Sequence, residues 1–192
     1  MPLLESHPLQ PFLPSNAKVL MLGSFPPQQK RWSMDFFYPN YQNDMWRIMG
    51  LLFFADRNIF IDSKSKSFHK DAIIHFLQET GIALYDTAEI VRRLRDNASD
   101  NFLEIVQHTN IEGLLQHMPQ CEAIATTGEK ATNELISHYP TTKPKIGEST
   151  PLLIGHRRLH LYRMPSTSRA YPLALDQKAT YYHKMFKGLG LI

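Results

Sequence analysis

The 192-residue chain contains a single cysteine, Cys121. An internal disulfide framework is therefore excluded, and so is an iron–sulfur cluster or a zinc site built on several thiolates. Beside an apolar run, Cys121 reads as a small core residue, and one thiol fits a reducing, cytoplasmic setting. No apolar run reaches the roughly 18 residues that a membrane span needs. The opening segment, MPLLESHPLQPFLPSN, lacks a basic n-region and is interrupted by four prolines, so it does not read as a signal peptide.

Several catalytic signatures are also missing. There is no G-x-G-x-x-G and no G-x-x-x-x-G-K-[ST], which leaves nucleotide-phosphate binding without support. Neither Ser24 nor Ser166 sits in a G-x-S-x-G elbow, which argues against a serine hydrolase. The histidines at 69, 75, 108, 117, 138, 156, 160 and 183 follow no H-E-x-x-H or similar spacing, so neither a metal nor a cofactor is expected.

What is present suits one globular domain over residues 1–192, with a hydrophobic fraction of 43% and a charged fraction of 20%. A net charge of +3 permits a polyanion partner without requiring one. Nothing in the pattern demands more than a monomer. Residues 1–16 read as an extended, proline-punctuated arm packed on by Leu3, Leu4, Leu9, Phe12 and Leu13.

The stretch from Lys18 to Gly50 organises the rest. Val19–Leu22 is apolar throughout and predicts a buried parallel strand. Gly23-Ser24-Phe25-Pro26-Pro27 breaks it, and an aromatic-rich loop follows. From Asp44 onward, Met45, Ile48, Met49, Leu52 and Phe53 recur at helical spacing, with Asn43 or Asp44 as the N-cap. Further on, Lys70–Thr80 predicts a helix stopped at Gly81. Strands are expected at 81–86 and 122–126, and Thr127-Gly128 turns the second into a helix over Glu129–His138. Residues 88–100 read as a solvated segment and 140–157 as a long connection. A last strand is expected at Arg158–Arg163 and a closing helix at Asp176–Leu189. Strands alternating with helices imply an α/β fold, a three-layer α/β/α sandwich around a mainly parallel four-stranded sheet. In such sheets, sites form where strand ends meet loops.

Two loops could carry chemistry. The first holds Phe25, Trp32, Phe36, Phe37, Tyr38, Tyr41 and Trp46. It reads either as a small hydrophobic cluster or as a slot in which a base stacks, each stacked base contributing roughly 1–3 kcal/mol. The amides of Asn40 and Asn43 can both donate to and accept from a base edge, although an Asn before a helix is also an ordinary cap. The second loop, Pro165-Ser166-Thr167-Ser168-Arg169, offers hydroxyls and a cation to phosphate oxygens, or is simply a turn.

In order, these pieces resemble the uracil-DNA glycosylase superfamily, closest to its mismatch-specific and hypoxanthine-DNA glycosylase-like branches. The resemblance rests on a strand running into Gly-Ser-Phe-Pro, an aromatic run leading to Asn43-Asp44-Met45-Trp46, GIALYD, EAIATTGEKA and MPSTSRA, over residues 18–187. It implies a base-excision repair enzyme that flips a deaminated base, uracil or hypoxanthine, out of DNA and hydrolyses its N-glycosidic bond. Asn43, with Asn40 in competition, would be catalytic. Gly23, Ser24, Phe25, Phe36 and Phe37 would hold the base. Pro165, Ser166, Thr167, Ser168 and Arg169, with Lys178 of the closing helix, would hold DNA. Phe25 occupies the position where many relatives carry a water-positioning Asp or Asn, and Arg169 stands where Pro is usual. A non-catalytic binder of damaged DNA and a small-molecule hydrolase are the competing readings.

Overall fold

The computed structural model describes residues 4–94 and 103–192. The apolar run after Lys18 has no polar face to offer solvent, and it forms β2 (Val19–Gly23), buried at every position. Before it, β1 (Leu4–Ser6) is a short strand of the N-terminal arm. After it come α1 (Met45–Phe54), the hairpin strands β3 (Ile61–Asp62) and β4 (Ser67–Phe68), and α2 (Lys70–Thr80). The helix α2 stops at Gly81, whose φ of +74° no side chain adopts cheaply and whose missing Cβ would stand 2.7 Å from the Asn16 carbonyl. The strands β5 (Ile82–Asp86), β6 (Ala88–Arg93) and β7 (Leu103–His108) lead to the short α3 (Ile111–Leu115). Then follow β8 (Ala123–Thr127), α4 (Glu129–His138), β9 (Ser149–Ile154), β10 (Arg157–Met164) and α5 (Leu175–Gly188).

The main sheet has the order β5-β2-β8-β10-β9. Four strands are parallel, with Gly23 level with Asp86 and Leu22 level with Thr126. From β2 the chain moves one strand to one side, then returns past β2 to build the other half. Right-handed crossovers in the two directions put their helices on opposite faces, and a crevice opens where the direction changes. That switch point lies between β2 and β8, at Gly23 and Thr127.

The α/β class with a mainly parallel central sheet is as expected, but the sheet has five strands rather than four. The fifth, β9, lies within the stretch read as a connection. It is an antiparallel edge strand paired with β10, where the missing N–H of Pro151 is tolerated. The segment read as solvated at 88–100 is also corrected over its first half. There β6 pairs with β1 and β7 in a second sheet, and Arg93 is buried, forking onto both carboxylate oxygens of Glu5 at 3.0 and 2.9 Å. The remainder of that segment, with Arg95, lies outside the described residues. The arm also covers the open edge of β5, because Phe12 and Leu84 exchange both backbone hydrogen bonds. Among the described residues no helix is long and apolar enough to cross a membrane.

Candidate functional site at the carboxyl end of the sheet

Four strand ends and two loops meet at the switch point. β2 ends at Gly23, β5 at Asp86, β8 at Thr127 and β10 at Met164. The ends are fitted closely. A Cβ on Gly23 would stand 2.3 Å from Asp86 Oδ1 and 3.8 Å from Thr127 Oγ1, so only glycine leaves room for that carboxylate. Gly128, with φ +106°, turns β8 into α4 and faces Ser166, while its N–H donates to the Met164 carbonyl at 3.1 Å.

The first loop crosses this edge. Tyr38 holds a left-handed φ of +51°, an uncommon state for a bulky side chain, and its hydroxyl lies 3.1 Å from Thr127 Oγ1. Burial raises the Tyr38 phenol well above its ordinary range; the Thr127 hydrogen bond opposes this, and the Asp86 charge adds to it. Tyr38 therefore stays a neutral hydroxyl at the rim.

The helix start is organised around an ion pair. Asp44 is the N-cap of α1, but its side chain makes no cap hydrogen bond. Lys178 Nζ instead reaches Asp44 Oδ2 at 2.9 Å and Arg169 Nε reaches Oδ1 at 3.2 Å. Lys178 also donates to the Ser168 carbonyl at 2.8 Å, and the Asp44 N–H donates to the Thr167 carbonyl at 2.9 Å. The start of α1 and the 165–169 turn are thus one unit. Tyr182 completes it with a 2.9 Å bond from its hydroxyl to the Pro165 carbonyl.

Of the two candidate amides, Asn43 sits directly beside this unit. Its Oδ1 accepts from the Met45 N–H at 2.9 Å, which leaves the amide Nδ2 as the donor end. Asn40 spends its Oδ1 on the Gln42 N–H at 2.9 Å, forming the preceding turn. Arg47 braces the same segment by donating to the Tyr41 and Asn43 carbonyls at 2.7 and 3.0 Å. Its pKa is lowered, first by burial and then by the Arg169 charge.

The structure does not bring all the expected residues to an opening. Phe36 and Phe37 are 7% and 4% exposed and pack inward, Phe36 on Phe12 and Trp46, Phe37 on Tyr85 and His7. Lys178, expected among the DNA contacts, is 1% exposed and faces Asp44. Gly23 and Ser24 are buried at the strand exit. Phe25 lines a cleft of about 410 Å³ between the arm and the loop over residues 25–30, bounded also by Glu5, Ser6 and Pro27. Ser168 and Arg169 are exposed, Ser166 is half-buried, and Pro165 and Thr167 are buried. Among the described residues no group of three or more His, Cys, Asp or Glu side chains could hold a metal ion.

Two residues at this edge were not anticipated. His7 drops from the arm into the site, where its Nε2 lies 2.8 Å from Asp86 Oδ2. Asp86 marked only the end of a strand in the sequence, and nothing there coupled it to a histidine 79 positions away.

No protein-family model and no curated protein sequence matches the chain. Solved structures do match. The chain is similar to the solution structure of a "putative uracil DNA glycosylase" from Methanosarcina acetivorans, with 20% identity, a TM-score of 0.60, and coverage of 94% of this chain and 98% of that one. The likeness is one of fold, and it extends over nearly the full length of both proteins.

Proposed function

We propose that the chain is a DNA glycosylase that removes a deaminated base, uracil or hypoxanthine, as a monofunctional hydrolase. It would act as a monomer and as one domain over residues 1–192. The observation that carries this reading is the Asp44–Lys178–Arg169 unit. It joins the loop bearing Asn43 to the 165–169 turn, beside Gly23 and Phe25, at the switch point of the sheet. The fold shared with the Methanosarcina acetivorans protein supports it, as do the ordered motifs.

In this reading the exposed Ser168 and Arg169 and the half-buried Ser166 meet DNA phosphates. The duplex yields its damaged base at a cost of a few kcal/mol, least at a mismatch. The C1′–N bond breaks with its electron pair leaving on the base, and water adds at C1′. Negative charge builds on the base carbonyls, where the Asn43 Nδ2 and backbone N–H groups at Gly23 to Phe25 supply donors. The phosphates favour the cationic sugar. A basic chain of net charge +3 adds salt-dependent attraction.

The test is a duplex carrying one deoxyuridine or one deoxyinosine, which should become alkali-labile after incubation with the protein. If neither is cleaved in any mismatch or single-stranded context, the reading fails. Salt-sensitive binding without cleavage would identify a binder of damaged DNA, a role consistent with Phe25 at the usual water-positioning site. Binding that ignores salt would point to a small-molecule substrate.

A further inference from the structure

A buried histidine–carboxylate pair at the mouth of a parallel sheet is unusual furniture for an N-terminal arm. His7 is held on every side. Its Nδ1 lies 2.9 Å from the Leu9 carbonyl oxygen and 3.1 Å from the Leu9 nitrogen, and its own N–H donates to the Glu89 carbonyl at 2.7 Å. The ring meets Phe25 edge-on at 5.3 Å and lies tilted over Tyr85 at 4.6 Å. Its side chain is 2% exposed, whereas that of Asp86 keeps 10%.

The two Asp86 oxygens are therefore in different situations. Oδ2 takes the His7 Nε2–H. Oδ1 lies over the Cα of Gly23, in the space that any other residue's Cβ would fill. Asp86 is also not the carboxylate that ties the loops together. That one is Asp44, and two cations already occupy it.

We propose that Asp86 is the specificity-determining acceptor of the base site and that His7 is its positioning residue. This rests on the glycosylase reading and names the chemistry by which the site would choose its substrate. Uracil carries a hydrogen on N3 and hypoxanthine one on N1. In cytosine and adenine, their parent bases, the same ring nitrogens carry a lone pair. An ionised carboxylate can only accept. It welcomes the N–H edge of a deaminated base and repels the lone-pair edge of a normal one, and a hydrogen-bonding site rejects a mismatched edge far more strongly than an apolar pocket does. His7 fixes which oxygen is offered, and its N–H offsets charge on the carboxylate as the base departs. The arm thereby becomes part of the site.

The experiment compares single-turnover cleavage of duplexes carrying deoxyuridine, deoxycytidine or N3-methyldeoxyuridine by the wild type, Asp86→Asn, His7→Ala and His7→Gln, with thermal midpoints measured in parallel. Wild type should reject cytosine and the N3-methyl base. Asp86→Asn keeps the shape but offers a donor as well as an acceptor. It should lose about 10-fold or more on uracil and narrow the uracil-to-cytosine ratio by at least that factor, a change that loss of folding alone does not produce. His7→Ala should narrow the ratio less. His7→Gln, whose Nε2–H can reach the same oxygen, should restore it to within about threefold. An active wild type with an unchanged ratio in Asp86→Asn, or one that cleaves N3-methyluracil as readily as uracil, overturns this assignment and leaves the glycosylase reading standing. A wild type inactive on deoxyuridine and deoxyinosine overturns both.

Discussion

Lys178 and Asp44 stand 134 positions apart in the sequence and 2.9 Å apart in space, with side chains 1% and 6% exposed. The pair fastens the last helix to the start of the first and carries the 165–169 turn with it. Breaking such a pair from one side leaves an uncompensated buried charge, which costs about 3–5 kcal/mol. Lys178→Met should lower the stability read by denaturant unfolding by that order. Because the pair is desolvated, added salt should not abolish the difference from wild type. Arg169→Ala removes only a half-exposed partner and should cost about 1 kcal/mol or less.

Asn43 is asked to do two things that can be separated. Its Oδ1 holds the Met45 N–H at 2.9 Å, a local bond whose loss costs about 1 kcal/mol. Its Nδ2 is the donor assigned to the leaving base. Asn43→Asp keeps the first and removes the second, whereas Asn43→Ala removes both. Both variants should lose at least about tenfold in single-turnover cleavage, and only the alanine variant should also lose the local bond's share of stability. Full turnover in Asn43→Asp would shift the role to Asn40 or to the backbone.

Much of the fold follows from short stretches of sequence, because what specified it is local. Val19–Leu22 has nothing polar to expose, so burial on both faces is its only stable outcome, and Gly81 ends α2 because its backbone needs φ +74°. The strands that escaped notice are those whose identity depends on a distant partner. β9 carries Pro151 and pairs only because β10 lies beside it; β6 is ordered by β1 and β7. The site divides the same way. Asn43, Phe25 and the 165–169 turn were marked by the company they keep in sequence. Aromatic content alone could not say that Phe36 and Phe37 face inward, and a lone histidine in a proline-rich arm gave no hint of Asp86.

Gly23 offers a direct check on the strand-end geometry. A methyl group there would stand 2.3 Å from Asp86 Oδ1 and must displace it. Gly23→Ala should destabilise the protein by about 1–3 kcal/mol, as overpacking does. It should also shift the imidazole resonances of His7, because the partner carboxylate moves. A variant with wild-type stability and unshifted His7 resonances would show that the carboxylate does not occupy that space.

The tyrosines make the protein sensitive to alkali in a calculable direction. Burial pushes the Tyr85 phenol up to about 12, with the Glu89 and Asp86 charges adding to it. Tyr38 and Tyr182 are raised by burial as well, Tyr182 while donating to the Pro165 carbonyl. An unfolded tyrosine ionises near 10. Each of these groups thus has a folded pKa above its unfolded one. The stability linked to it is fully present below about pH 10 and drains away as the pH climbs through the folded value, since the unfolded chain loses its protons first. For Tyr85 that window runs from about pH 10 to about 12. Unfolding free energies measured across this window should fall with pH. Tyr85→Phe, which has no proton to lose, should flatten part of the slope, and phenolate absorbance should rise later in the native protein than in the denatured chain. A slope untouched by Tyr85→Phe would mean that its phenol ionises as readily folded as unfolded, and that the aromatic wall around His7 is open to water.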